Sequence, residues 1–493
     1  MHWIDIAIIV AFMIGVFVAG SLLGRSVKNM KDYFSGGNKL PWWAVMVSIV
    51  AAETSVLTFL SIPGLAYLGN FTFLQVCIGY IIGRILVAGI FIPMYAKGNF
   101  ISVYQAITEK GGVTMQRIMS ITFMATRLLA DGVRLFAVAI PLSMITGLPY
   151  FYSLLILGIV TVAYTLMGGI RGVVWMDFAQ WIIYMGAAVC ALVIGMNMLP
   201  DAGASVADLV EKGKLLIVNI NPGKGYTLWG GIIGGAMLSM ASHGTDQLIV
   251  QRILSCKSTA DSKKAMIGSG LVVFLQFVIF LFIGAMLYMV WNGASLEALS
   301  ITKPDELFTK FIIENLPPVV KGITVAGIFA ASMTTLSGSL SAMSSSITVD
   351  IFKPIFKNIT DEGKWLKISR FATLGWGIVM VFGAMIFTNQ NSPLVEIGLS
   401  IASFTYGGTL GVFLVVRFFK KCERWQYVVP FFFSISVMTF IIITQKSDPL
   451  NLKNIIEGWE GLHNINWTWY TLIGVSSSLL MNRLLVLIKK PKN

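Results

Sequence analysis

The sequence predicts an all-α integral membrane protein of about thirteen transmembrane helices. Three observations predict it. Of 493 residues, 56% are hydrophobic and only 12% are charged, whereas a soluble domain carries roughly 25% charged residues. The apolar residues come in runs of about 20, the length a helix needs to cross about 30 Å of hydrocarbon. The runs are continuously apolar rather than alternating, which excludes the strands of a membrane barrel.

In order, the runs lie near residues 4–24, 43–66, 71–96, 118–146, 149–167, 173–199, 228–250, 265–292, 319–349, 371–389, 394–416, 427–445 and 468–488. The first reads as a span and not as a cleaved leader. It has Asp5 near its start, no basic region before it, and more length than a leader's apolar core. With the N-terminus outside, every second loop is cytoplasmic; those segments hold 25 Lys and Arg, and the outside loops hold 8. That asymmetry is the positive-inside pattern. It predicts a multi-pass protein of the plasma or inner membrane, N-terminus outside and C-terminus cytoplasmic. It also accounts for the net charge of +13, because basic loops favour the anionic cytoplasmic leaflet. The bilayer is the partner this charge implies; nucleic acid is not needed.

Nothing in the sequence points to an enzyme. Cys77, Cys190, Cys256 and Cys422 have neither zinc spacing nor an evident disulfide partner. His2, His243 and His463 are scattered, and no nucleophile elbow, phosphate loop or zinc-protease motif occurs. No soluble module follows the last run, which argues against a sensor.

Ionisable residues inside predicted spans are costly and generally face a cavity or a partner. Here they are Arg84, Arg127, Arg134, Glu53, Asp131 and Asp177, with Asp246 and Glu396 at span ends. Arg127, Asp131 and Arg134 follow i, i+4, i+7 spacing and share one helix face. Either Asp131 neutralises both arginines in a structural network, or one arginine stays free to hold an anionic solute. Glu53 admits four readings: a buried ion pair, a partner for Arg127 or Arg134, a contact for a cationic solute group, or a proton site.

The ninth run is the most informative. Ten of the seventeen residues from Ser332 to Thr348 carry hydroxyls. Lipid does not favour hydroxyls, so this helix must face protein or water. Small residues and hydroxyls suit close helix packing; they also offer neutral oxygens to a hard cation. Thr334 and Thr335 lie one turn after the Ala331 carbonyl.

This helix, from Ala331 through Thr348-Val-Asp-Ile-Phe352, resembles a core helix of the sodium:solute symporter family, which includes sodium-coupled carriers of sugars, proline, sialic acid, vitamins and iodide. Gly168-Gly169-Ile-Arg-Gly-Val-Val-Trp-Met-Asp177-Phe-Ala-Gln180, Gly244-Thr-Asp-Gln-Leu-Ile-Val-Gln-Arg252, Ala130-Asp-Gly-Val-Arg-Leu-Phe136 and Gly407-Gly-Thr-Leu-Gly411 fit the family's motifs in order. The resemblance covers nearly the whole chain.

It implies the LeuT-type architecture of two inverted five-helix repeats with peripheral helices. Residues 1–42 would hold a peripheral helix and a cytoplasmic loop, 43–199 the first repeat, 228–416 the second, and 427–493 two peripheral helices and a tail. Such folds bind ion and solute where the first helix of each repeat is broken. The expected breaks are Ala51–Ser55, and either Gly234-Gly235 or the Ser242–Thr245 stretch.

The resemblance further implies that a secondary active transporter imports a small polar or charged organic solute, such as a carboxylate or amino acid, by alternating access coupled to sodium entry. The sodium ion would be held by the carbonyls of Ala51, Thr54 and Ala331 and the hydroxyls of Thr334 and Thr335; the family more often has serines at the last two positions. A second sodium site would use Asp177 and Ser337, but Gly338 stands where a second hydroxyl is expected. For the solute, Ser55, Thr58, Phe73 and Cys77 are the contacts on the first repeat, with Cys77 replacing a glutamine of some relatives. Ser239, Ser242 and His243 are those on the second. Sialic-acid carriers grip a carboxylate with an arginine at the position of Ala130, so Arg127 and Arg134 are not direct matches. Glu53, Arg127, Asp131 and Arg134 favour a charged solute over a neutral sugar. A proton-coupled or uncoupled carrier on the same fold stays open.

Overall fold

The computed structural model describes residues 2–24, 27–98, 100–147, 149–221, 226–385, 394–419, 422–446 and 465–488. Among these residues the chain is helical and has no strand. Helix occurs in every one of the thirteen predicted runs. Among the described residues, nine helices are long and apolar enough to cross a membrane individually, and one bent pair makes a tenth. The count differs from thirteen because several predicted spans are joined, broken or too polar to qualify by composition.

The chain opens with α1 (Trp3–Leu23), which buries only Asp5, Val16 and Gly20 and is peripheral. Asp5 is nevertheless fixed: its Oδ1 accepts from the backbone N–H groups of Val319 at 2.9 Å and Gly322 at 3.1 Å. It thereby caps orphan donors at the start of a distant helix. A short α2 (Met30–Ser35) precedes α3 (Trp42–Glu53) and α4 (Val56–Leu68), which together form the second predicted span with a 61° bend between them.

Next come α5 (Leu74–Ile90) and the short α6 (Ile92–Tyr95). They are followed by α7 (Thr108–Thr146) and α8 (Tyr150–Asn197). α7 carries the arginine–aspartate face. α8 unites the fifth and sixth predicted spans and kinks at Gly169, φ 52°, ψ −164°. A Cβ there would lie 2.7 Å from the Tyr33 carbonyl oxygen, so both the dihedral and the close approach require glycine.

Outside the predicted spans lies α9 (Ala202–Glu211). A π-turn at Gly230–Gly234 leads into α10 (Gly235–Gly244), then α11 (Gln247–Leu254) after a break at Thr245 and Asp246. Of the two expected breaks, the one after Ser242–Gly244 is observed. Gly234-Gly235 stays helical and serves packing instead: a Cβ at Gly234 would meet the Thr468 carbonyl oxygen at 2.2 Å, and one at Gly235 that of Val76 at 2.6 Å.

α12 (Thr259–Val290), α13 (Glu306–Asn315), α14 (Val320–Ser346) and α15 (Lys353–Ile355) follow, then α16 (Glu362–Ala384), α17 (Leu394–Phe418), α18 (Trp425–Lys446) and α19 (Tyr470–Ile488). α14, the hydroxyl-rich helix, is buried at every position from Thr324 to Ser346 and packs on α8, α7, α1 and α3. Its hydroxyls thus face protein or internal space and not lipid. By contrast Ile159, Leu275, Phe371 and Leu480 are exposed, an exterior suited to hydrocarbon.

Candidate functional site

The site is built around the bend between α3 and α4. Thr54 leaves the helix at φ −80°, ψ 88°, and Ser55 caps α4 by accepting from Leu57 N at 3.2 Å. The last turn of a helix has carbonyls with no intrahelical partner. Here α14 supplies the partners. Thr334 Oγ1 donates to the carbonyl oxygens of Ala51 and Ala331, both at 3.0 Å, and Thr335 Oγ1 donates to Ala52 O at 3.3 Å. Thr54 sits at the bend with its hydroxyl accepting from Gln276 Nε2 at 2.5 Å, and Gln276 in turn accepts from Trp181 Nε1 at 3.0 Å. Of the expected sodium ligands, the Ala51 and Ala331 carbonyls meet at the Thr334 hydroxyl in a buried crossing of α3 and α14, with the Thr335 hydroxyl on the neighbouring Ala52 carbonyl. Neutral hydroxyls and carbonyls suit a hard monovalent cation.

A cavity of about 90 Å³ opens beside the bend. Glu53, Ser55, Thr58, Phe73, Arg127, Arg134, Ser242 and His243 line it, together with Tyr80, Phe277, Leu399 and Tyr406. Three residues expected there, Cys77, Ser239 and Asp131, lie elsewhere. Cys77 is fully buried outside the lining, and Ser239 donates to the Tyr80 carbonyl at 3.0 Å, tying α10 to α5. Asp131 lines a separate water-sized space with Ser55, Arg134, Ser332 and Thr335, which shares Ser55 and Arg134 with the first cavity.

The charges fall into partnered sets. Glu53 pairs with Arg84 rather than with Arg127 or Arg134, and Arg84 Nη1 also donates to Ser269 Oγ at 2.9 Å. His243 Nε2 lies 3.4 Å from Glu53 Oε2, while its Nδ1 is 2.8 Å from Ser242 Oγ. Arg127 is held by Asp246 at 2.7 Å, and Tyr406 donates to the same carboxylate oxygen at 2.6 Å. Asp131 binds Arg134 at 2.6 Å and stands 3.7 Å from Arg127. The helix face forms the network of the first expected reading, and neither arginine is without a carboxylate; Arg134 is the more open, its side chain 20% exposed against 7% for Arg127. Arg134 Nε and His243 Nε2 are buried without a hydrogen-bond partner.

The residues expected for a second sodium are engaged otherwise. Asp177 Oδ2 accepts from Ser48 Oγ at 2.5 Å and from Arg252 Nη2 at 2.9 Å. Ser337 Oγ donates to the Thr334 carbonyl at 3.2 Å. Asp177 Oδ1 is buried without a partner, but a guanidinium about 4 Å from a cation there offsets the carboxylate's attraction by roughly 4 kcal/mol at an effective dielectric of about 20. This set does not fit a sodium ion. Among the described residues no cluster of three or more His, Cys, Asp or Glu could hold a metal.

Arg84, Asp246 and Arg252 were visible in the sequence as charges without assigned partners. Gln276 was visible only as one amide in the apolar run of α12.

A broken helix crossing α14 at a buried set of oxygens, beside a cavity lined by both charged and apolar side chains, is an arrangement suited to ion-coupled transport. The sodium:solute symporter family model matches residues 33–425, and the chain belongs to that family. It is 25% identical over 422 residues to the human sodium/iodide cotransporter, covering 84% of this chain and 65% of that protein. To the sodium/sialic acid symporter NanT of Aliivibrio fischeri it is 25% identical over 425 residues, covering 84% and 82%. To human sodium-coupled monocarboxylate transporter 1 it is 24% identical over 412 residues, covering 82% and 67%. The chain thus spans just under two thirds of the iodide cotransporter's length. A substrate-bound, outward-open sodium-coupled sialic acid symporter matches its fold with TM-score 0.86 at 22% identity over 100% of this chain and 99% of that one. MhsT in complex with L-phenylalanine matches at TM-score 0.51 and 13% identity, over 89% and 97%. The fold is LeuT-type.

Proposed function

We propose that this chain imports a small carboxylate, or another anion of that size, together with sodium by alternating access. The carrying observation is Arg134, the cation most open to the cavity, with its Nε unpartnered. Charge balance supports an anion. Around the cavity the guanidiniums of Arg84, Arg127 and Arg134 face the carboxylates of Glu53, Asp131 and Asp246. Sodium bound at Ala51, Thr54, Ala331, Thr334 and Thr335 adds one positive charge, and a monoanion restores neutrality. Uncompensated charge at this depth costs several kcal/mol. Size supports a small one: about 90 Å³ corresponds to about six to nine waters at roughly 10–15 Å³ each. Ser55, Thr58, Ser242 and His243 supply the remaining polar contacts, and Phe73 an apolar wall.

The 25-to-8 distribution of basic residues supports an N-terminus outside and a cytoplasmic C-terminus in the plasma or inner membrane. The two broken helices support repeats at about 43–199 and 228–416. The test is uptake into proteoliposomes under an inward sodium gradient, comparing labelled acetate and lactate with zwitterionic amino acids and neutral sugars. Sodium-dependent uptake of the monocarboxylates is expected to dominate. Faster uptake of neutral sugars would refute the proposal.

A further inference from the structure

The region around Asp177 is one of the most completely buried charged clusters in the molecule. Asp177 and Arg252 have fully buried side chains. Arg252 is pinned on three sides: Nε donates to Ser48 Oγ at 2.8 Å, Nη1 to the Leu248 carbonyl at 2.8 Å and Nη2 to Asp177 at 2.9 Å. Its guanidinium lies directly against α14 at Gly338. A Cβ on Gly338 would stand 2.5 Å from Nη2, 2.9 Å from Nη1 and 3.1 Å from the guanidinium carbon. Contacts under 3.0 Å require a shift, and a guanidinium held by three hydrogen bonds cannot shift freely. Any side chain at position 338, a serine included, is incompatible with Arg252 where it now sits.

We propose that Arg252 is a built-in cation that takes the place of a second sodium, and that Gly338 is the residue that admits it. The guanidinium supplies the positive charge that Asp177 needs in a buried setting, and it does so permanently because it is tethered to α11. An ion arriving at Asp177 would find Oδ2 occupied by Ser48 and Arg252, Oδ1 buried without a partner, no hydroxyl at 338 to share it, and a like charge beside it. The chain therefore binds one sodium per cycle, at the crossing of α3 and α14. This inference rests on the sodium site proposed above, and the test separates the two.

The experiment counts ²²Na⁺ bound per molecule of purified full-length protein without solute. The wild type is expected to bind one sodium with a Hill coefficient of 1. Asp177→Asn is expected to bind one with a dissociation constant within about twofold of wild type, and Thr334→Ala/Thr335→Ala to bind none. Two sodium ions per wild-type molecule overturns the inference, as does loss of an ion in Asp177→Asn, whatever the threonine variant does. If the asparagine variant fails to fold, the wild-type count decides alone. If the threonine variant and Asp177→Asn both keep one ion, the site at Thr334 falls while the assignment of Arg252 stands.

Discussion

Replacing Thr334 and Thr335 together by alanine separates two roles for these hydroxyls. If they only join helices, each contributes an interhelical hydrogen bond to an α3 carbonyl. Such bonds in membrane proteins average about 0.6 kcal/mol, so the double variant would lose about 1 kcal/mol of stability and keep its sodium dependence. If they are sodium ligands, each makes a charge–dipole contact. Hydrogen bonds to charged groups, a close analogue, contribute about 1.5–3 kcal/mol. Two such losses amount to at least about 3 kcal/mol, or a rise of about 150-fold in half-saturating sodium at about 1.4 kcal/mol per decade. The assay is the sodium dependence of uptake, with sodium-dependent thermal stabilisation as a solute-free check. Thr334→Ser/Thr335→Ser keeps both oxygens and should stay within a few-fold of wild type. An unchanged half-saturating concentration in the alanine variant would refute the ligand reasoning.

Other perturbations read other parts of the site. Arg134→Gln should raise the solute KM by about 30- to 1,000-fold, the equivalent of roughly 2–4 kcal/mol for truncating one partner of a buried charge pair, while solute-free sodium binding stays intact; uptake kinetics and ²²Na⁺ binding measure the two. Glu53→Gln leaves Arg84 buried without its carboxylate and should cost about 3–5 kcal/mol of stability, much of which the double variant Glu53→Gln/Arg84→Met should recover in a thermal-unfolding series. Gly79→Val should destabilise by about 1–3 kcal/mol through overpacking, because a Cβ on Gly79 already meets the Gly231 carbonyl oxygen at 2.5 Å; an unchanged melting temperature would contradict the close crossing of α5 and the π-turn before α10.

The parts of this site that were legible in the sequence are those written in local patterns. The hydroxyl run on α14 and the Ala51–Ser55 break are each contained in a few consecutive residues, and both appear where expected. The Arg127, Asp131, Arg134 face needed only helical spacing. What could not be read is pairing across helices, because charge type alone does not select among partners. Glu53 finds Arg84, 31 positions away, and Arg127 finds Asp246, 119 positions away. Cys77 and Ser239 lie on solute-facing helices but are turned into packing contacts, a rotation that a few residues' error in span boundaries conceals. Gly338 stood out only as a missing hydroxyl; its fit to the Arg252 guanidinium needs three dimensions.

The bend at residues 51–55 also explains how two cargoes can be coupled. Ala51 and Ala52 meet the Thr334 and Thr335 hydroxyls of the proposed sodium site, while Ala52, Glu53 and Ser55 line the cavity proposed for the solute. Any rotation of this turn changes both sites at once, so sodium and solute bias the same element. The proposed stoichiometry then has an electrical consequence. One sodium carried with one monoanion moves no net charge. At equilibrium a tenfold inward sodium gradient supports about tenfold accumulation, and the membrane potential adds nothing. A second sodium would make each cycle carry one positive charge, worth about 2.3 kcal/mol per 100 mV, so that 100 mV, inside negative, would multiply accumulation by a further factor of about 50. Accumulation of the best monocarboxylate from the uptake comparison, measured in vesicles clamped at 0 and −100 mV with potassium and valinomycin, distinguishes these cases. Equal accumulation at the two potentials is expected, because Arg252 already provides the charge that a second ion would bring.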